Sequence, residues 1–300
     1  MKSPHILVIK HGAFGDLLQA DGVLHDIRVY FDHARISLLT SSAYQLLMQR
    51  SPHIDFVLTD KRWPLWRVSD WWLLRKTLRE QDFDLVIDLQ NTQRTRLYRK
   101  LLLPRSPWVQ RATKHTPVSG LQGQIELLQQ AGIDSQYARQ ADLRWLADEM
   151  QQWLTECEIN SGFILLLPGC SARRPEKRWP FYPQLAETLA TKGINVVTVL
   201  GPDESQLAEQ FNGKLLKDLN WFQLAGVIQQ AGFVIGNDSG PSHLAAHLGK
   251  AGMAIFGPHS CAQRAEIERK QFKPYSISSL SELNVETIIA YLQAQGVVSS

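Results

Sequence analysis

The feature that most constrains this chain is an alternation of short apolar runs with amphipathic ones, carried through twice along 300 residues. Strand-like segments ILVIK (6–10), RISLLT (35–40), DFVLTD (55–60), DLVIDLQ (84–90), WVQRA (108–112) and DLRWL (142–146) are separated by helical patterns at 17–31, 42–50, 69–80 and 119–131. Parallel strands need a crossover of a dozen or more residues, usually a helix, so this order predicts a parallel sheet covered by helices. After a helix-plus-linker stretch at 147–161 the pattern restarts with FILLLP (163–168), NVVTVLG (195–201), FVIGND (233–238) and MAIFGP (253–258). Helices are expected at 180–193, 204–211 and 220–231. The expected architecture is α/β: two Rossmann-like domains, 1–155 and 156–300. The closing helix, 284–295, is expected to pack back on the first.

Composition narrows the classes. No run of about 18 apolar residues occurs, and MKSPH leads straight into the first strand without a signal-peptide pattern, which points to the cytoplasm. Three scattered cysteines suit free thiols and match no zinc spacing. The net charge of +3 is uneven: residues 1–150 hold 20 Lys/Arg against 16 Asp/Glu, residues 151–300 hold 12 against 13. Between Asn91 and Pro117 there are seven basic residues, among them Arg94, Arg96, Arg99 and Lys114, and no acid. Just before them, residues 61–76 carry four of the nine tryptophans: Trp63, Trp66, Trp71 and Trp72. A basic, Trp-rich surface favours anionic lipid head groups or phosphorylated acceptors. The same tryptophans fit an acceptor groove or packing beneath a loop equally well. No nucleic-acid-binding motif accompanies the charge, so nucleic acid is not an expected partner.

The segment Gly236–Pro258 reads as strand end, polar loop, short helix and strand. Asp238, Ser239 and Gly240 lie where strand gives way to helix, and Pro241 suits the first helical turn, where a missing N–H costs nothing. Unsatisfied N–H groups at such a start make an anion site, with His243 one turn in as a further donor. With KRWP at 177–180, the loop points to a nucleotide-diphosphate ligand. Near the N-terminus, Gly12 and Gly15 permit a tight turn before Asp16, a carboxylate that fits an N-cap or a catalytic base. Asp82-Phe83-Asp84 has an Asp-x-Asp spacing but opens a strand, and His243 with His247 lacks a third ligand, so no metal is expected.

Taken together, ILVIKHGAFGD (6–16), PGCSARRPEKRWP (168–180), LGPDE (200–204) and NDSGPSHLAAHLG followed by FGP resemble glycosyltransferase family 9, the ADP-heptose:lipopolysaccharide heptosyltransferases. The resemblance implies the GT-B plan, two Rossmann-like domains facing each other across a cleft. It implies an inverting, metal-independent enzyme without cofactor, moving a heptose or related sugar from an ADP-sugar to a lipopolysaccharide core. Asp16 would be the general base and Lys177 would stabilise the leaving diphosphate. Gly15, Ser171, Glu204, Asp238, Ser239, Gly240 and His243 would hold the donor, and His11, Arg94 and Arg96 would face the acceptor. The implied setting is peripheral, on the inner face of the cytoplasmic membrane, against an anionic lipid surface. Two departures stand out. Ser239 occupies a position where Thr is usual, and HSCAQRAEIERKQF (259–272) replaces the family's usual continuation.

Two other readings compete. A dinucleotide oxidoreductase is disfavoured because HGAFGD lacks a complete G-x-G-x-x-G and the second strand ends in Thr40-Ser41 rather than an acid. A catalytically degenerate GT-B protein that binds nucleotide or glycan without turnover is the alternative. Retention of Asp16, Lys177 and Asp238 argues against it.

Overall fold

The computed structural model describes residues 3–111, 117 and 119–299; Lys114 of the basic segment lies outside them. The chain divides into two compact units, Met1–Ala141 and Asp142–Ser300. The first holds a five-stranded parallel sheet of β1 (His5–Ile9), β2 (Arg35–Ser41), β3 (Phe56–Asp60), β4 (Leu85–Asp88) and β5 (Trp108–Val109), in the order β3-β2-β1-β4-β5. The second holds six parallel strands: β6 (Ile164–Leu167), β7 (Val196–Leu200), β8 (Lys214–Lys217), β9 (Phe233–Asn237), β10 (Gly252–Phe256) and β11 (Phe272–Ser276). Their order is β11-β10-β9-β6-β7-β8. β1, β6, β9 and β10 are buried along their whole length, which is why they read as unbroken apolar runs: helices cover both faces of the sheet.

Each sheet has one topological switch point, where successive connections leave in opposite directions. In the first unit it lies beyond the C-terminal ends of β1 and β4; in the second, beyond those of β6 and β9. Crevices at such points are where open α/β sheets bind ligands. They deliver Lys10–Asp16 and Asp88–Asn91 to one locus, and Pro168–Ser171 and Asn237–Gly240 to the other.

The structure revises several expectations. The division falls ahead of the expected 155/156 boundary, because the stretch after Ala141 belongs to the second unit: the Asp148 N–H donates to the Phe222 carbonyl at 3.1 Å. The closing helix, Val285–Ala294, buries Val285, Ile288, Ile289 and Leu292 in the second unit's own core beside Trp179, Leu185 and Ile255. DLRWL forms no strand. Asp142 Oδ1 accepts from the Arg144 N–H at 3.1 Å, and that local turn competes with sheet pairing to give a short 3₁₀ turn, Arg144–Leu146. Two edge strands escaped sequence reading. β8 (KLLK) is guarded by exposed lysines and β11 carries Pro274, both features that sheets tolerate only at an edge.

Candidate active site

In the second unit the three loops at the switch point are tied together by one buried amide. Asn237, the last residue of β9, has its Oδ1 accepting from the Trp179 N–H at 3.0 Å and its Nδ2 donating to the Pro168 carbonyl at 2.8 Å. The Trp179 ring is fully buried and its Nε1 donates to the Leu283 carbonyl at 2.8 Å, so the KRWP segment is pinned to the core by its tryptophan. Lys177 is thereby held two residues before that anchor, and its ammonium pairs with Asp238 Oδ2 at 2.5 Å. Sequence reading passed over Asn237. Its one signal was an amide where a parallel strand ends between two loops.

Beside this hub, the helix Gly240–His247 begins with Ser239 as its N-cap residue and Pro241 in its first turn. The Ser239 hydroxyl does not cap the helix, and its Oγ is buried with no hydrogen-bond partner among the described residues. Gly236 lets the helix approach the strand, since a Cβ there would come within 2.3 Å of Ser242 Oγ. Ser242 Oγ in turn donates to the Asn237 carbonyl at 2.6 Å. Glu204 is buried and braces the loops. Its Oε2 accepts from the Gly201 N–H at 2.9 Å, its Oε1 lies 3.9 Å from Arg178, and Gly169 packs against it so closely that a Cβ would stand 2.9 Å from Oε2. Ser171, Arg173 and Arg174 are exposed on the 168–174 loop. His243 is half-buried one turn into the helix, its ring stacked 6.3 Å from that of His247. Burial, then the neighbouring Arg269 and His243, hold the His247 imidazole well below its usual pKa, so it is a neutral packing residue. A separate cavity of about 500 Å³ in this unit is lined by Ile164, Phe233 and Gly252, the N-terminal ends of β6, β9 and β10, opposite the loops.

In the first unit, β1 runs into Lys10, His11 and Gly12, and Gly12 holds φ at +128°, a region closed to other residues. Gly15 and Asp16 lie inside the helix that follows, Phe14–Gln19. The Asp16 side chain is exposed, and its Oδ2 accepts from the Ala13 N–H at 3.1 Å. It therefore closes the helix start and still presents a carboxylate. Asp16 also lines a cavity of about 210 Å³ together with Lys10, Asp88, Gln90, Asn91, Arg111 and Gln124.

Two of the residues expected at the acceptor, His11 and Arg94, lie against Asp60. His11 is buried, with its Nε2 3.8 Å from Asp60 and its ring edge-on to Tyr98. Burial brings its pKa down to about 4, helped by Arg62, Arg94 and Lys10 and opposed by Asp60, so the imidazole is neutral near pH 7. Arg94 donates from Nε to Asp60 Oδ2 at 3.0 Å, from Nη1 to the Trp63 carbonyl at 2.9 Å, and lies over the Trp71 ring. Tyr98 donates to the same Asp60 carboxylate. Burial alone would raise the Asp60 pKa; the Tyr98 and Arg94 hydrogen bonds outweigh it and hold the carboxyl below its usual range. Arg94 is thus a buttress joining β3 to the helix Gln93–Leu97, while Arg96 stays half-exposed on that helix. Of the tryptophans, Trp71 is core, whereas Trp66 and Trp72 are 80% and 61% exposed. Asp84 Oδ2 accepts from the His5 N–H at 2.7 Å, a strand-end role, and no cluster with metal-ligand spacing occurs among the described residues.

Two parallel sheets, each with helices on both faces and a loop site at its switch point, are the two Rossmann-like halves of the GT-B fold. The sequence matches the profile of glycosyltransferase family 9 (heptosyltransferase) over residues 109–276, and the chain belongs to that family. It is similar to lipopolysaccharide heptosyltransferase 3 of Escherichia coli, 22% identical over 276 residues and covering 81% of this chain and 80% of that one. It is also similar to lipooligosaccharide heptosyltransferase 2 of Haemophilus ducreyi, 25% identical over 302 residues and covering 85% and 84%. Among solved structures, a family 9 glycosyl transferase from Veillonella parvula superposes with a TM-score of 0.82 at 20% identity, covering 100% and 99% of the two chains. The E. coli heptosyltransferase WaaC with ADP gives 0.75 at 21% identity, covering 97% and 99%. The protein is a glycosyltransferase of the heptosyltransferase type.

Proposed function

We propose that this enzyme transfers a heptose, or a closely related sugar, from an ADP-sugar to a lipopolysaccharide core acceptor in one inverting displacement. The acceptor hydroxyl oxygen attacks the anomeric carbon as the bond from that carbon to the diphosphate oxygen breaks. The hydroxyl proton passes to Asp16, and ADP leaves. The observation that carries this reading is the Asp16 carboxylate: fixed at a helix start through one oxygen, exposed, and on the rim of a polar cavity. A base must reach the proton it takes, and geometry precedes pKa in judging one.

The negative charge developing on the diphosphate falls to Lys177 and to the N–H groups at the start of Gly240–His247, with the unpartnered Ser239 hydroxyl as a further donor. Lys177 is held in readiness by Asp238, which exchanges this partner for a ribose hydroxyl when the donor arrives. Glu204 and Asn237 hold the loops rather than the ligand.

The anionic membrane surface is assigned to residues 61–79 rather than to Arg94. There Leu65, Trp66, Val68, Trp72 and Leu73 are exposed among exposed Lys61, Arg62, Arg67, Arg75 and Lys76. Exposed apolar side chains interleaved with cations suit a peripheral helix on anionic lipid. No helix of the described residues is long and apolar enough to cross a membrane.

The test of the base is Asp16→Asn. With ADP-heptose as donor and heptose-deficient lipopolysaccharide as acceptor, kcat should fall by about 10²–10⁴ while calorimetric ADP affinity stays unchanged. Wild-type protein that binds ADP and never turns over would favour the non-catalytic reading instead.

A further inference from the structure

The stretch in which the chain departs from its family, residues 259–272, is organised by one arginine. After a short helix, Ala262–Ala265, the backbone enters the left-handed region at Glu266 (φ +45°), which is unfavourable for a residue with a side chain, and then turns into β11. Arg269 holds this path in place. Its Nη1 donates to the carbonyls of Glu266 and Glu268 at 2.8 and 2.7 Å, and its backbone N–H donates to the Phe272 carbonyl at 2.9 Å. Ile267, fully buried, fastens the middle of the turn.

The other terminal nitrogen of the same guanidinium meets the helix Gly240–His247. Arg269 Nη2 lies 3.2 Å from His247 Nδ1 and 3.4 Å from its Nε2. An arginine can only donate, so the ring nitrogen it meets must keep a lone pair, and only a neutral imidazole has one. His247 is 5% exposed at the end of the helix, and its ring stacks on that of His243, one turn nearer the helix start. Arg269 and His243 are the charged or titratable groups set against it, and both oppose its protonation. The two acids of the segment are Glu266, whose Oε2 is buried, and Glu268, which pairs with Lys273 at 2.9 Å.

We propose that Arg269 is a positioning residue for the donor: it fixes the neutral His247 ring, and His247 fixes the His243 imidazole beside the helix start that takes the diphosphate. The proposal rests on that helix start being the diphosphate site. His243 and His247 are four residues apart and so share one face of the helix. A guanidinium on the acceptor nitrogen of His247 does two things there. It stops the ring from turning over, and it keeps a proton off it, since an imidazolium would lose the hydrogen bond and set a second positive ring against His243. The segment 259–272 thereby acts on the donor through the helix, from the helix's far end.

The experiment uses the full chain, with ADP, GDP, UDP and the matching nucleosides as probes in calorimetry near neutral pH. Arg269→Met should weaken binding of the nucleoside diphosphate about fivefold, the weight of one hydrogen bond, and leave the nucleoside unchanged. Arg269→Lys, which keeps a donor and the charge, should recover most of that loss. In a His247→Phe background, with no ring nitrogen to receive the arginine, Arg269→Met should cost less than about twofold. Imidazole NMR needs no ligand: His247 should titrate well below the ordinary histidine range in wild type and move up into it in Arg269→Met. The proposal is overturned if Arg269→Met binds the diphosphate like wild type, if diphosphate and nucleoside weaken together, if the loss is as large in the His247→Phe background, or if His247 titrates alike in both proteins. Should His247→Phe not fold, the lysine variant and the NMR titration decide. Wild type that binds GDP or UDP in place of ADP, with the same losses, overturns the choice of donor and leaves the role of Arg269 standing; wild type that binds none of the three overturns both.

Discussion

The two switch-point loops solve one problem by different means. In the second unit the ligand loops are knitted by neutral hydrogen bonds around Asn237, with a fully buried Trp179 as their anchor. In the first unit the loop after β1 is bounded by ionisable groups: buried Lys10, neutral His11, the Asp60–Arg94–Tyr98 network and exposed Asp16. A loop that cradles a diphosphate needs fixed N–H groups and a cation held in place, as Lys177 is here by Asp238. A loop that takes up a proton needs a carboxylate whose surroundings are set by neighbouring charges. The second-unit loops should therefore fail chiefly through lost hydrogen bonds and the loop after β1 through pH.

The sharpest way to break the contrast is Gly236→Ala. Its Cβ would enter the 2.3 Å gap to Ser242 Oγ, forcing the helix Gly240–His247 off β9, so unfolding free energy should drop by about 2–3 kcal/mol and ADP affinity with it. Urea titration and calorimetry check both. Next comes Asn237→Leu, which leaves the Trp179 N–H and Pro168 carbonyl without partners. A loss of about 2 kcal/mol is expected, nearly independent of pH between 5 and 8.

The first unit should behave otherwise. The folded-state pKa of His11 is depressed to about 4, below an unfolded value of about 6.5. The unfolded chain therefore binds more protons between those values, and stability falls as pH drops through that window. The loss attributable to His11 is on the order of 2 kcal/mol at pH 4.5, and urea curves for His11→Asn should lack that part of the acid sensitivity. If wild type and His11→Asn lose stability in parallel, the electrostatic account of this loop is wrong. The smallest effect belongs to the surface: Trp66→Ala with Trp72→Ala should reduce binding to phosphatidylserine-containing vesicles severalfold without altering stability by more than about 0.5 kcal/mol. Unchanged vesicle binding would remove residues 61–79 from the membrane assignment.

Much of this was legible beforehand because parallel strands and their crossover helices leave a one-dimensional trace. The apolar runs of β1, β6, β9 and β10 and the loop motifs at 168–180 and 236–258 could be read directly. That Arg94 and His11 lie against Asp60 was not legible, because a basic or imidazole side chain in a loop or at a helix start reads the same whether it faces solvent or a buried aspartate. Asp60, on β3, is the residue that engages both. The edge strands β8 and β11 were invisible since a lysine-flanked or proline-bearing run carries no helical or alternating period.

The sequence by itself determined the two α/β series, the family and the residue types that meet the chemistry, because periodicity and motif order are local properties of the chain. Only the tertiary structure decided which of those residues are spent on holding the fold and which remain open. Lys177, Asn237 and Arg94 are told apart by partners distant in sequence, and burial turns each such pairing into free energy.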